Sequence, residues 1–178
     1  MIERHFRKGD AESSALYSDC GAYRYALTRC WDAAGARLLY IMLNPSRASE
    51  RVNDPTVERC ERRARQLGFG AFRVVNLFAW RATDPRDLRA AEVPVGADNA
   101  RALAEGADWS DMVLAAWGIH GAHLNQGAAV AAQLRGRSPH HLGLCRNGHP
   151  RHPLYVSYAQ APEPWDAEAM AQLAGASS

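Results

Sequence analysis

Six consecutive apolar residues, Leu38-Leu39-Tyr40-Ile41-Met42-Leu43, stop abruptly at Asn44-Pro45-Ser46. An unbroken apolar strand of this length must be covered on both faces, which places it inside a sheet flanked by other layers. The same arrangement recurs down the chain. Residues 72–78 are β-branched and aromatic and break into Arg81-Ala82-Thr83-Asp84-Pro85. Residues 112–117 form an apolar run stopped by Gly118, and residues 141–145 are a short strand running into Arg146-Asn147-Gly148-His149-Pro150-Arg151-His152-Pro153.

Helical patterns lie between these runs. Asp54-Pro55-Thr56 supplies an N-cap with proline at the first helical position, Val57, Cys60, Ala64 and Leu67 recur at helical spacing, and Gly68 closes the segment. Further helices are predicted over 98–107, 125–134 and 164–173. Alternating strands and helices favour parallel pairing, because each crossover helix returns the chain to the same end of the sheet. The expected fold is therefore α/β, a three-layer α/β/α sandwich with a mainly parallel central sheet. A β-hairpin precedes it, made of residues 22–31, which alternate, and residues 38–43. The chain is expected to form a single domain over 1–178, with an N-terminal arm or short helix at 1–21, an α/β core at 22–158 and a C-terminal helix and tail at 159–178.

Composition supports one ordinary core. Of 178 residues, 47% are hydrophobic and 22% charged, enough apolar surface to offset chain entropy without staples. No apolar run reaches the roughly 18 residues of a membrane span, and Met1-Ile2-Glu3-Arg4-His5 lacks the apolar stretch of a secretory signal, so the cytoplasm is the expected compartment and no membrane partner is expected. The cysteines at 20, 30, 60 and 145 form no C-x-x-C pair and have no histidine at finger spacing. Neither a disulfide, a metal nor any other cofactor is expected.

Charge is nearly balanced, with 21 Lys+Arg against 19 Asp+Glu, but its distribution is uneven. Lys8 is the only lysine, and from Arg135 to His152 the chain holds four arginines, four histidines and no acid. Such a stretch is either a solvated surface or the footprint of a polyanion.

Most candidate functional residues cluster where predicted strands end: Asn44-Pro45-Ser46, Asn76 with Arg81, Trp117-Gly118 and His149 through His152. In open parallel sheets, ligands bind in the crevice outside the carboxyl ends of the strands, so these segments would converge there. Asn44, next to Pro45, either holds a water or ligand edge through its amide or closes an Asx turn. Ser46 caps a turn or contacts a phosphate. Asp54 caps its helix, and a carboxylate at this mouth can also orient water. Asn76 lies in an otherwise apolar strand and must find partners in backbone or ligand. Arg81 is either a surface residue or a grip on phosphate, and Arg151 either belongs to a solvated loop or clamps phosphate. Phe78 and Trp117 stack on a planar ligand or belong to the core. His149 and His152, held by prolines beside Arg151, read either as a solvated loop or as donors to developing negative charge.

Taken together, Leu43-Asn44-Pro45-Ser46, Asn53-Asp54-Pro55-Thr56, Val75-Asn76-Leu77-Phe78 with Arg81-Ala82-Thr83, Ala116-Trp117-Gly118 and Gly148-His149-Pro150-Arg151-His152-Pro153-Leu154-Tyr155 resemble the bacterial domain-of-unknown-function family 1643 across about residues 22–158. More distantly, the order of blocks is similar to the uracil-DNA glycosylase superfamily, especially its mismatch-specific branch. That second resemblance implies a glycosylase-like fold in which Asn44 positions the attacking water and His149 or His152 contacts the leaving base or the minor groove. The expected function is hydrolysis of the N-glycosidic bond of a modified or mismatched base in DNA. The alternatives are a non-catalytic protein that binds nucleic acid or a nucleotide, and an enzyme acting on a free nucleoside-like metabolite.

Overall fold

The computed structural model describes residues 1–175. In chain order the elements are β1 (Ile2–Lys8), β2 (Ala11–Tyr17), β3 (Arg24–Cys30), β4 (Arg37–Met42), α1 (Pro55–Gln66), β5 (Ala71–Asn76), α2 (Pro85–Ala90), α3 (Asn99–Trp109), β6 (Met112–Ala115), α4 (Gln126–Gln133), β7 (His140–His141), β8 (Glu163–Pro164) and α5 (Glu168–Gly175). Short 3-10 segments, Ile119–Asn125 and Pro153–Tyr155, follow β6 and β7.

The eight strands form one sheet in the order β1-β2-β3-β5-β4-β6-β7-β8. Strands β5, β4, β6 and β7 are mutually parallel, whereas β1, β2 and β3 on one side and β8 on the other pair antiparallel. The sheet is thus mixed, and the expectation of a mainly parallel one is corrected. Residues 1–21 are corrected too: β1 and β2 form a hairpin, where an arm or short helix was expected. Strand β2 buries Ala11, Ser13, Ala15 and Tyr17 in strict alternation. Small and hydroxyl side chains carry that alternation, so a hydrophobic period does not reveal it.

The predicted hairpin between 22–31 and 38–43 does not form. Strand β5 inserts between β3 and β4, antiparallel to the first and parallel to the second. The connection leaving β3 crosses the start of β5, where Trp31 N and Asp32 N both donate to Gly70 O. Gly70 permits this approach, because a Cβ there would lie 2.3 Å from Asp32 O. The fourth predicted strand shrinks to two residues as Gly143 turns the chain at φ +96°, and Pro164 joins β8 so that the last helix begins at Glu168.

Strand β4 is covered on both faces, as its composition requires. Leu39 and Ile41 pack with Leu103 of α3, Val130 of α4 and Met170 of α5. Leu38, Tyr40 and Met42 pack on the opposite side with Val57, Cys60 and Ala64 of α1. Helix α1 starts as its sequence dictates: Asp54 accepts from Val57 N at 2.9 Å and Pro55 occupies the first turn.

Four arginines fasten the loops that follow these elements. From β3, Arg24 donates to Ala48 O, while Arg29 donates to Ser13 Oγ at 2.7 Å, Ser49 O at 2.6 Å and Asn53 Oδ1 at 3.0 Å. From α1, Arg59 donates to Pro153 O and to Val156 O at 2.7 Å, and Arg63 reaches Gln160 O, Val156 O and Ser157 O at 2.8, 3.1 and 3.0 Å. Arg63 is buried, so its removal takes the donor from Gln160 O and Ser157 O and leaves Val156 O to Arg59 alone. Replacing Arg63 by Ala is expected to cost about 3 kcal/mol in urea unfolding. Arg62→Ala, which breaks only an exposed pair with Glu58, should stay within about 0.5 kcal/mol.

Candidate functional site

The parallel strands create the crevice that positions the site. From β4 the chain passes through α1 to β5 on one side, and then returns through α3 to β6 on the other. The direction of winding therefore reverses between β4 and β6, and the space outside their carboxyl ends is open. Asn44 follows β4 there, and Trp117-Gly118 follow β6.

A cavity of about 410 Å³ opens at this edge, lined by Arg24, Asn44, Asp54, Asn76, Thr83 and His152 among others. A second, of about 640 Å³, is lined by Thr83, Trp117, Arg151, His152 and Tyr155. A third, of about 530 Å³, is lined by Ser46, Arg47, Arg81 and Thr83. Thr83 borders all three, which therefore form one groove. Its hydroxyl lies 3.1 Å from Ser46 Oγ. Arg47 and Arg81 stand toward one end and Arg151 toward the other, and none of them makes an ion pair among the described residues.

Local bonding fixes Asn44, Asp54 and His152 in the central cavity. Asn44 Nδ2 donates to Ala82 O at 2.7 Å and to Pro45 O at 3.1 Å, so its Oδ1 is left as the acceptor. Asp54 caps α1 and also accepts from Ala48 N. Asn76 is 1% exposed, and its Nδ2 has no hydrogen-bond partner among the described residues. Such a group is costly unless a ligand or water completes it.

His152 Nδ1 accepts from Leu154 N, which leaves the proton of the neutral ring on Nε2. Burial pulls its pKa down to about 4, against the opposing attraction of Asp54. Near neutral pH this residue is an uncharged N–H donor. Burial also lowers the pKa of His149.

His149 and Phe78 do not join the cavity. His149 is buried, accepts from Trp117 Nε1 at 2.9 Å and packs where Gly121 and Gly127 leave room; a Cβ on either glycine would lie within 2.9 Å of its ring. Phe78 is fully buried against the His123 ring. Pro45 is buried as well, its carbonyl accepting from Ala82 N. Trp117 is 1% exposed, packs edge-on against Trp165 and floors the second cavity. Arg81 reaches the third cavity while donating to Gly21 O. The basic stretch from 135 to 152 also divides: Arg135 pairs with Glu168 and Arg137 with Asp108, leaving Arg146 and Arg151 exposed.

Arg24, Arg47 and Thr56 line the central cavity and were not singled out from sequence. Arg24 and Arg29 are five positions apart, hence on opposite faces of a regular strand, yet both reach the loop after β4. The β2–β3 register shifts between Leu16 and Tyr17, opposite Arg24, and this irregularity re-aims the side chain.

The fold and groove define an α/β protein with a polar crevice at a topological switch point. The chain belongs to the family described as Protein of unknown function (DUF1643), whose model matches residues 24–154. No curated protein and no solved structure gives a significant match. Among the described residues, no helix is long and apolar enough to cross a membrane.

The depressed pKa of His152 ties stability to pH. An ordinary histidine in the unfolded chain titrates near 6.5, so between about 6.5 and 4 the unfolded state binds the extra proton. Stability from this residue is full above pH 6.5 and is lost as pH falls to about 4, by up to about 3 kcal/mol. Urea unfolding across this window should show a shallower decline for His152→Gln than for the wild type, with the smaller contributions of His149 and His141 remaining.

Proposed function

We propose that the central cavity receives a nucleotide turned out of a nucleic-acid strand, DNA in the first instance, and hydrolyses the bond between a modified or mismatched base and its sugar. The observation that carries this reading is that Asn44, Asn76 and His152, from three separate segments, line one cavity flanked by unpaired arginines. Asn44 is held by two carbonyls so that its Oδ1 can accept a hydrogen bond from a water and aim that water's oxygen. An amide is no base at neutral pH, so positioning is its whole contribution.

The base–sugar bond breaks with its electron pair moving onto the base. Water adds its hydroxyl to the sugar carbon, and its proton ends on the departing base. The N–H groups of His152 and Asn76 are the donors available to the charge that develops on that base. A neutral histidine suits this task, because it polarises an acceptor without first losing a proton. Unstacking the nucleotide costs a few kcal/mol, offset by phosphate contacts with Arg47, Arg81 and Arg151.

A second reading, binding of nucleic acid or a nucleotide without cleavage, draws on Asp54, both of whose oxygens already accept backbone N–H groups. Salt-dependent binding with no released base distinguishes it. Tight mononucleotide binding with no preference for polymer would instead point to an enzyme of free nucleoside-like metabolites.

Mass spectrometry after incubation with oligonucleotides carrying a panel of damaged and hypermodified bases tests the reaction directly. Asn44→Ala should keep the fold and strand binding but lose base release by at least about 100-fold. Release at the wild-type rate would remove Asn44 from the mechanism. Arg151→Ala should weaken strand binding and lower the slope of log K against log salt by about 1, and an unchanged slope would remove the phosphate contact.

A further inference from the structure

The central cavity contains a positive charge that the protein leaves uncompensated at close range. Arg24 is 2% exposed and lines the cavity. Its Nη1 donates to Ala48 O, while its Nε has no partner among the described residues. Nor does any carboxylate among the described residues lie within ion-pairing distance of it. Burial draws its pKa down to about 10, which still leaves it cationic at neutral pH.

A buried guanidinium costs several kcal/mol unless an anion faces it. Among the described residues, Asp54 is the only acid lining the cavity, and its oxygens are engaged by Val57 N and Ala48 N. It attracts Arg24 through space, but Arg81 and Arg29 repel it. Two other features of the same cavity favour negative charge or lone pairs. One is the unpartnered Nδ2 of Asn76. The other is the start of α1, a 12-residue helix whose first turn, Pro55, Thr56 and Val57, lines the wall with its positive end.

We infer that the occupant of this cavity presents an anionic oxygen group, a carboxylate or a phosphate, to Arg24, with Asn76 and Thr56, in the first turn of α1, as companion donors. The inference rests on the proposed function only in taking this cavity as the ligand site. It narrows the substrate class to a base bearing an acidic substituent or to a nucleotide whose own phosphate enters the cavity. A neutral base alone would bury Arg24 further without completing its ion pair.

Calorimetric titration of the full chain at pH 7 and low salt, using uridine, orotidine, UMP and inorganic phosphate as probes, tests this. Orotidine is uridine with a carboxylate on the base, so the two nucleosides differ in one anionic group. At least one anionic probe should bind about tenfold or more tightly than uridine, a difference of about 1.4 kcal/mol. Preference for orotidine assigns the subsite to a base carboxylate, and preference for UMP and phosphate assigns it to a phosphate. Arg24→Gln should abolish the discrimination and Arg24→Lys should restore part of it. Should Arg24→Gln fail to fold, Asn76→Ala is the second variant and should weaken the favoured anion more than it weakens uridine.

Equal affinity for neutral and anionic probes in the wild type, discrimination that survives in Arg24→Gln, or no anionic binding at about 1 mM would each overturn the inference. Base release is not read in this experiment, so the two proposals fail separately. Anion preference without any glycosidic product removes the reaction and keeps the subsite, whereas base release with equal probe affinities does the opposite.

Discussion

Four guanidinium groups, those of Arg24, Arg29 and Arg63 buried and that of Arg59 partly so, hold two loops in place, and the groove depends on both. The segment from Asn44 to Asp54 and the segment from His152 to Gln160 have little regular structure and present many backbone carbonyls. Carbonyls in such loops need donors if they are to stay near the core. Arg24 and Arg29 supply them to the first loop from β3, and Arg59 and Arg63 supply them to the second from α1. Arginine suits this use because its fork carries five donors in a fixed plane, whereas lysine offers one compact charge. A chain with 21 basic residues and only one lysine can be read in these terms, with part of its arginine serving internal carbonyls before any external anion.

The clamped loops meet where the winding of the parallel strands reverses. Asn44 and Asp54 come from one loop and His152 from the other, while Asn76 closes β5 between them. Burial then sets the chemistry. It keeps His152 uncharged and leaves an amide on Asn76 unsatisfied, and it weakens the Arg24 cation without removing it. The last two are conditions that a polar, partly anionic ligand relieves.

Much of this was legible in the sequence because local signals and tertiary needs agree. The apolar run of β4, the Asp54-Pro55 start of α1 and the polar breaks after β4, β5 and β6 each have one dominant physical reading. Long-range pairing was not legible. That β5 separates β3 from β4 depends on the close passage at Gly70, and two antiparallel-looking neighbours in sequence carry no sign of an inserted strand. The β1–β2 hairpin was hidden because Ala and Ser occupy its buried positions. At the site, Asn44, Asn76 and His152 were found by their place after strands, whereas His149 shares that place yet serves Trp117 in the interior. Arg24 escaped because a register shift in the neighbouring pair alters where it points.

The claim on which the rest stands is that the cleft beyond β4 and β6 is where this protein meets its ligand. Two-dimensional NMR of the side-chain amides, recorded during titration with a single-stranded oligonucleotide containing an abasic site, reads that cleft directly. The expected result is saturable movement of the Asn44 and Asn76 NH2 signals together with the His152 ring, while Asn147, exposed outside the central cavity, stays in place. Saturable binding that shifts other signals and leaves Asn44, Asn76 and His152 unmoved would contradict the account.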